Sequence, residues 1–134
     1  VGEPLWSPSG RQLAFTSRGD FEDRGAERGD ARVIDRLFYK GDGLGFRPDE
    51  PEQVYLHDLE TGSTERLTKL RCSPGSLAFS PDGGLLYFVA APDPDAESRW
   101  EGLLWAVPVA SKGKPERLAL SLRPVSTARL SPDG

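Results

Sequence analysis

Short apolar runs alternate with turn-forming clusters along most of this chain. The clearest instance is Leu77-Ala78-Phe79, then Ser80-Pro81-Asp82-Gly83, then Leu85-Leu86-Tyr87-Phe88. Proline pre-sets the backbone for a turn, aspartate can bond back to it, and glycine accepts a positive φ. Apolar runs on both sides of such a cluster predict a β-hairpin. Leu5-Trp6-Ser7-Pro8-Ser9-Gly10 followed by Leu13-Ala14-Phe15 repeats the unit, and Leu130-Ser131-Pro132-Asp133-Gly134 begins it a third time. The pattern predicts strands ending near Trp6, over 12–17, over Gln53–Asp58, over 64–68, ending near Ser80 and near Ala90, over 102–109 and over 115–120, with another beginning at 127–130. In the strand at Gln53–Asp58, Val54, Leu56 and Asp58 fall on one face and Tyr55, His57 and Leu59 on the other.

The spacing is regular. Pro81 and Pro132 lie 51 residues apart, and so do Glu65-Arg66-Leu67 and Glu116-Arg117-Leu118. Pro8 and Pro81 lie 73 apart, which is 22 more. The first unit therefore carries an insertion between Ser17 and Gln53. That stretch differs in composition: residues 18–32 mix Arg, Asp, Glu and Gly and read as a solvated loop. Arginines at 24, 28, 32 and 36 have helical spacing, but Gly25 and Gly29 oppose a helix at about 1 kcal/mol each relative to alanine. Val33, Ile34, Leu37 and Phe38 form an apolar cluster, and glycines at 41, 43 and 45 force a turn.

Four short antiparallel strands per unit, at a period of roughly 40 to 50 residues, predict an all-β chain of four-stranded β-propeller blades. Such sheets stack because none can bury both faces alone. The expected organisation is a first blade over 1–69 with a loop insertion at about 18–52, a second blade over 70–120, and the start of a third over 121–134. The chain then amounts to about two and a half blades, an incomplete propeller and a piece of a longer protein.

Bulk properties narrow the function. Charged residues make up 28% and hydrophobic residues 37%, a globular balance. A net charge of −4 argues against a general nucleic-acid binder. No apolar run approaches the ~18 residues of a membrane-spanning helix, so no membrane partner is expected. The single Cys72 cannot form an internal disulfide, and no basic-then-apolar leader opens the chain; a cytoplasmic location is expected.

Candidate chemistry is sparse. His57 sits in a strand pattern with no nucleophile near it in sequence, and no serine has Gly-x-Ser-x-Gly flanks. The Gly41-x-Gly43-x-Gly45 spacing misses the phosphate-binding fingerprint. Asp93, Asp95 and Glu97 hint at calcium, but Ser98 stands where a calcium loop needs glycine. No catalytic residue, metal site or cofactor is therefore expected. Trp6, Trp100 and Trp105 suit the wedge between sheets better than a ligand. Function is most plausible on the insertion, where Arg36, Tyr39 and Lys40 could present donors to a peptide carboxylate or a facing domain. The plainer alternative pairs Arg36 with Asp35 or Asp42.

The Ser-Pro-Asp-Gly turn with its flanks, and the trailing Val54-to-Gly62 and Glu65-to-Thr68 stretches, resemble the TolB-type, WD40-like repeat. That repeat builds the propellers of TolB and of the prolyl oligopeptidase family of serine peptidases. Ile34-Asp35-Arg36-Leu37-Phe38-Tyr39-Lys40-Gly41-Asp42-Gly43-Leu44-Gly45-Phe46 is similar to a segment of the acylaminoacyl-peptidase branch. This resemblance implies a propeller that filters short peptide substrates and packs on an α/β-hydrolase domain carrying the catalytic serine. The implied partners are the remaining blades, that hydrolase domain, a short peptide and, in some assemblies, further copies of the same protein. The alternative is a TolB-like propeller that binds a protein partner and has no enzymatic domain.

Overall fold

The computed structural model describes residues 2–18, 40–41, 45–46, 51–94, 101–110, 114–118 and 125–131, with the backbone alone at 40–41 and 45–46. The described strands are β1 (Leu5–Trp6), β2 (Gln12–Ser17), β3 (Lys40–Gly41), β4 (Gly45–Phe46), β5 (Gln53–Asp58), β6 (Thr64–Arg66), β7 (Gly75–Phe79), β8 (Leu85–Ala90), β9 (Leu103–Pro108) and β10 (Glu116–Arg117). They form two four-stranded antiparallel sheets, β1-β2-β5-β6 and β7-β8-β9-β10, and a separate β3-β4 hairpin. The chain is all-β, and each large sheet is an up-and-down meander of the kind expected for a propeller blade. The β2–β5 ladder runs from Gln12↔Asp58 to Ser17↔Gln53, so the stretch between those strands leaves the first sheet intact.

The turns hold these meanders in register. Gly83 N–H donates to the Ser80 carbonyl at 2.8 Å and Gly10 N–H to the Ser7 carbonyl at 2.9 Å. Gly10 and Gly83 have φ of 70° and 74°, so a side chain at either position would be strained. The side chains repeat the pattern. Leu85 N–H donates to Ser80 Oγ at 2.9 Å, and Gln12 N–H to Ser7 Oγ at 3.1 Å. Asp82 Oδ1 accepts from Ser80 Oγ and from Gly84 N–H. Asp58 caps the β5–β6 turn in the same manner, its Oδ1 accepting from Glu60 and Thr61 N–H at 2.9 and 3.0 Å.

The core is the joint between the two large sheets. Residues directly opposite in an antiparallel ladder share a face. Ala14 faces Leu56 and Thr16 faces Val54 across the first sheet, while Leu86 faces Val107 and Phe88 faces Trp105 across the second. Ala14, Val54, Leu56 and Leu67 join Leu86, Phe88, Ala90 and Val107 in one buried cluster. Ala14, Val54, Leu86, Phe88 and Val107 are wholly inaccessible. Trp105 packs at the edge of this cluster, and its indole N–H donates to the Ala90 carbonyl at 3.0 Å.

A buried polar network joins the sheets along the chain. Thr68 Oγ1 accepts from Val54 N–H at 2.9 Å and donates to Gln53 Oε1 at 3.0 Å. Gln53 also takes Leu70 N–H at 2.7 Å and gives its amide to the Leu70 carbonyl at 3.0 Å. This explains why β6 ends at Arg66 rather than at residue 68: a threonine hydroxyl replaces a carbonyl as the partner of β5. Of the strand expected over 115–120, Glu116–Arg117 pairs with β9 and Leu118 N–H donates to Leu104 O at 2.9 Å, while residues 119–120 lie outside the described residues. The strand expected at 127–130 has no ladder. Instead, Ser76 Oγ accepts from Ala128 N–H at 2.8 Å and donates to the Ala128 carbonyl at 3.0 Å. The cause is a bulge in β7 between Gly75 and Ala78, with Ser76 at φ 53°, which replaces the backbone edge with a side chain.

Two predictions follow from this packing. Phe88→Ala empties the centre of the joint and is expected to destabilise the chain by about 3–5 kcal/mol in chemical denaturation. Leu59→Ala, on an exposed turn, should change stability by roughly 0.5 kcal/mol or less. The second concerns acid. The Ser80 hydroxyl and then Gly84 N–H hold the Asp82 carboxyl below the usual 3.8, and chiefly Thr61 N–H does the same for Asp58. Folded-state values below the unfolded value make a stabilising contribution that is complete above about pH 4 and fades as pH falls through the lowered values. Wild type should lose stability over that window, and Asp82→Asn should lose less.

Candidate functional site

Superimposing the repeats by their spacing brings three stretches to equivalent positions: residues 3–5, 76–78 and 127–129. In the structure these stretches converge. Residues 3–5, 74–77 and 127–129, with Thr16, line one open cavity of about 500 Å³. Glu3, Ser76 and Thr127 are 73 and 51 residues apart, so one repeat position supplies a polar group to the cavity three times. The edge strands β1 and β7 form two of its walls. Gly2 N–H donates to the Thr16 carbonyl at 2.7 Å and fixes the first wall. The Ser76–Ala128 pair fixes the other two.

A close backbone contact sets the third wall. Val125 N–H donates to the Gly102 carbonyl at 2.8 Å. A Cβ at Gly102 would sit 2.0 Å from the Val125 carbonyl oxygen, so only glycine allows residues 125–131 to lie here. Hydroxyls of Thr16, Ser76 and Thr127, the Glu3 carboxylate and the Arg129 guanidinium give this cavity hydrogen-bonding and charged groups. Among the described residues its lining holds no histidine or cysteine and no nucleophile–base pair. These described groups can bind and orient a ligand.

The root of the insertion lies beside this cavity. Ser17 and Gln53 form the last pair of the β2–β5 ladder, next to Thr16 in the cavity wall. Arg18 Nη2 and Glu52 Oε1 approach to 3.5 Å just beyond that pair, and Glu52 N–H donates to Ser73 Oγ at 3.1 Å. Lys40 lies in β3 opposite Phe46. Arg36 and Tyr39 fall outside the described residues, as do Trp100, Asp95, Glu97 and the possible helix at 24–36.

The remaining candidates have structural surroundings. His57 Nδ1 lies 2.9 Å from Thr64 Oγ1 on the face of the first sheet that points away from the joint. Cys72 is a buried thiol in the segment between the sheets. Among the described residues, no group of three His, Cys, Asp or Glu side chains is placed to hold a metal ion. Trp105 fills the joint as expected, but Trp6 is 58% exposed. The cavity itself was not singled out from sequence. Its signal was present: the same repeat spacing that aligns the turns also aligns Glu3, Ser76 and Thr127.

No protein-family model matches this chain. It is 36% identical over 97 residues to an uncharacterized peptidase, YuxL, of Bacillus subtilis strain 168, an alignment that covers 67% of this chain and 15% of that protein. The chain thus spans only a small part of the relative's length. Among solved structures it is similar to TolB from Acinetobacter baumannii, with a TM-score of 0.53 and 20% identity, over 90% of this chain and 21% of that one. The fold is therefore that of a TolB-like propeller segment, and the sequence has a distant likeness to part of a peptidase.

Proposed function

We propose that this chain is a propeller segment of a serine oligopeptidase of the acylaminoacyl-peptidase type. In this reading it shapes access to a peptide-binding cavity and packs on a separate α/β-hydrolase domain that supplies the nucleophile. The observation that carries it is the 36% identity to a peptidase over 97 residues, in a chain whose described residues line a cavity with binding groups. The insertion contributes to substrate binding through Arg36, Tyr39 and Lys40, because its root adjoins the polar cavity and its cationic groups suit a peptide carboxylate. A second reading, a propeller that binds a protein partner without a hydrolase, draws on the structural likeness to TolB across 90% of the chain.

The protein that carries this segment is expected to hydrolyse an acylated dipeptide, and a serine-directed inhibitor should abolish the activity. Inhibitor-insensitive or absent hydrolysis transfers the weight to the binding propeller. In the active protein, Arg36→Ala should raise KM roughly tenfold with kcat nearly unchanged, the mark of lost uniform binding. An unchanged KM would remove Arg36 from the substrate contacts.

A further inference from the structure

The insertion leaves the first sheet between Ser17 and Gln53, the last pair of the β2–β5 ladder. The corresponding pair of the β8–β9 ladder is Ala90 and Leu103. The two pairs differ in chemistry: Ser17 and Gln53 are polar and buried, whereas the second sheet is apolar at both positions. The 51-residue period extends the contrast. Ala119 stands where Thr68 does, and Pro124 where Ser73 does. The Gln53–Thr68 pair therefore belongs to the blade with the insertion and not to the repeat.

The step from one blade to the next does not need that pair. At the second step Val125 N–H donates to the Gly102 carbonyl. At the first step Pro74 stands at the position of Val125 and has no N–H to give. A substitute lies at the same place: Glu52, at the position of Gly102, donates its N–H to Ser73 Oγ at 3.1 Å. The Gln53–Thr68 pair comes in addition to this tie.

Gln53 spends its whole amide around the insertion's root. Its Oε1 accepts from Thr68 Oγ1 and Leu70 N–H, and its Nε2 donates to the Leu70 carbonyl and, at 3.4 Å, back to the Pro51 carbonyl. Arg18, on the other side of the root, pairs with Glu52. Both ends of the insertion are thus tied around one buried side chain whose planar amide allows a single orientation. The neighbouring residues Thr16 and Pro74 line the polar cavity.

We propose that Gln53 and Thr68 are positioning residues for ligand binding, which fix where both ends of the insertion leave the sheet relative to the cavity wall. The assignment rests on the reading of cavity and insertion as a peptide-binding region, and its test separates the two.

The test uses the full-length protein that carries this segment. Gln53→Leu and Thr68→Ala install the residues that the second blade has at the same positions, and Thr68→Ser keeps the hydroxyl. Val107→Ala weakens the joint from the second sheet and serves as the control for lost stability. Circular dichroism checks that each variant is folded. KM and kcat for the acylated dipeptide are measured with amide exchange at Arg18 and Glu52. Gln53→Leu and Thr68→Ala should raise KM roughly tenfold with kcat within about twofold of wild type, and should speed exchange at both root positions roughly tenfold or more. Thr68→Ser should match wild type in both measurements, and Val107→Ala should leave KM unchanged. In an active wild type, an unchanged KM in Gln53→Leu and Thr68→Ala, or an equal rise in Val107→Ala, would overturn the proposal. A wild type that does not hydrolyse the dipeptide removes the peptidase reading alone, and exchange then decides. Faster exchange at Arg18 and Glu52 in Thr68→Ala but not in Thr68→Ser upholds the anchor. Faster exchange confined to Val54 and Leu70, or spread equally over both large sheets, overturns it.

Discussion

The structure depends on one constraint: a four-stranded sheet has two faces and cannot bury both by itself. The described part of the chain answers it once, in the joint where Leu86, Phe88 and Val107 meet Ala14, Val54 and Leu56. Everything else serves or extends that joint. The turns fix which residues reach it, because a register slip of one residue would send Phe88 and Leu86 to the opposite face. The Gln53–Thr68–Leu70 network lies at its border and guides the chain from one sheet to the next.

The polar cavity is a by-product of the same stacking. Placing successive sheets side by side brings their first strands together, so any polar residue at one repeat position appears there several times. Glu3, Ser76 and Thr127 illustrate this. The site's chemistry is that of recognition. Its hydroxyls, carboxylate and guanidinium can contact a ligand, and the insertion is rooted at the same end of the first sheet. A catalytic centre on another domain would be consistent with this division of labour, which is the substance of the oligopeptidase reading.

The strands and their pairing were largely legible in the sequence because the turns announce themselves. Ser-Pro-Asp-Gly encodes its own hydrogen bonds, and β2 and β5 have the bounds that alternation predicts. Three features were not legible. β6 stops early because the Thr68 hydroxyl substitutes for a backbone acceptor, which alternation cannot register. Residues 127–130 carry strand-like side chains yet form no ladder, because Ser76 adopts a positive φ and offers its hydroxyl instead. Trp6 reads as a filler between sheets, but it lies on the face that the joint leaves outside. The cavity was hidden for a related reason: it belongs to no single motif and exists only when three repeats are superimposed. Arg36, Tyr39 and Lys40 stand out by residue type alone, and only the backbone of Lys40 is placed.

The central claim is that the two sheets form one cooperative unit through their joint. Amide hydrogen exchange on wild type and on Val54→Ala tests it most directly. Val54 lies in the first sheet and is wholly buried at the joint. The account predicts that β2, β5, β8 and β9 share one slow class in wild type, and that Val54→Ala speeds exchange in β8 and β9 as much as in β2 and β5. Faster exchange confined to the first sheet, with β8 and β9 unaffected, would contradict it.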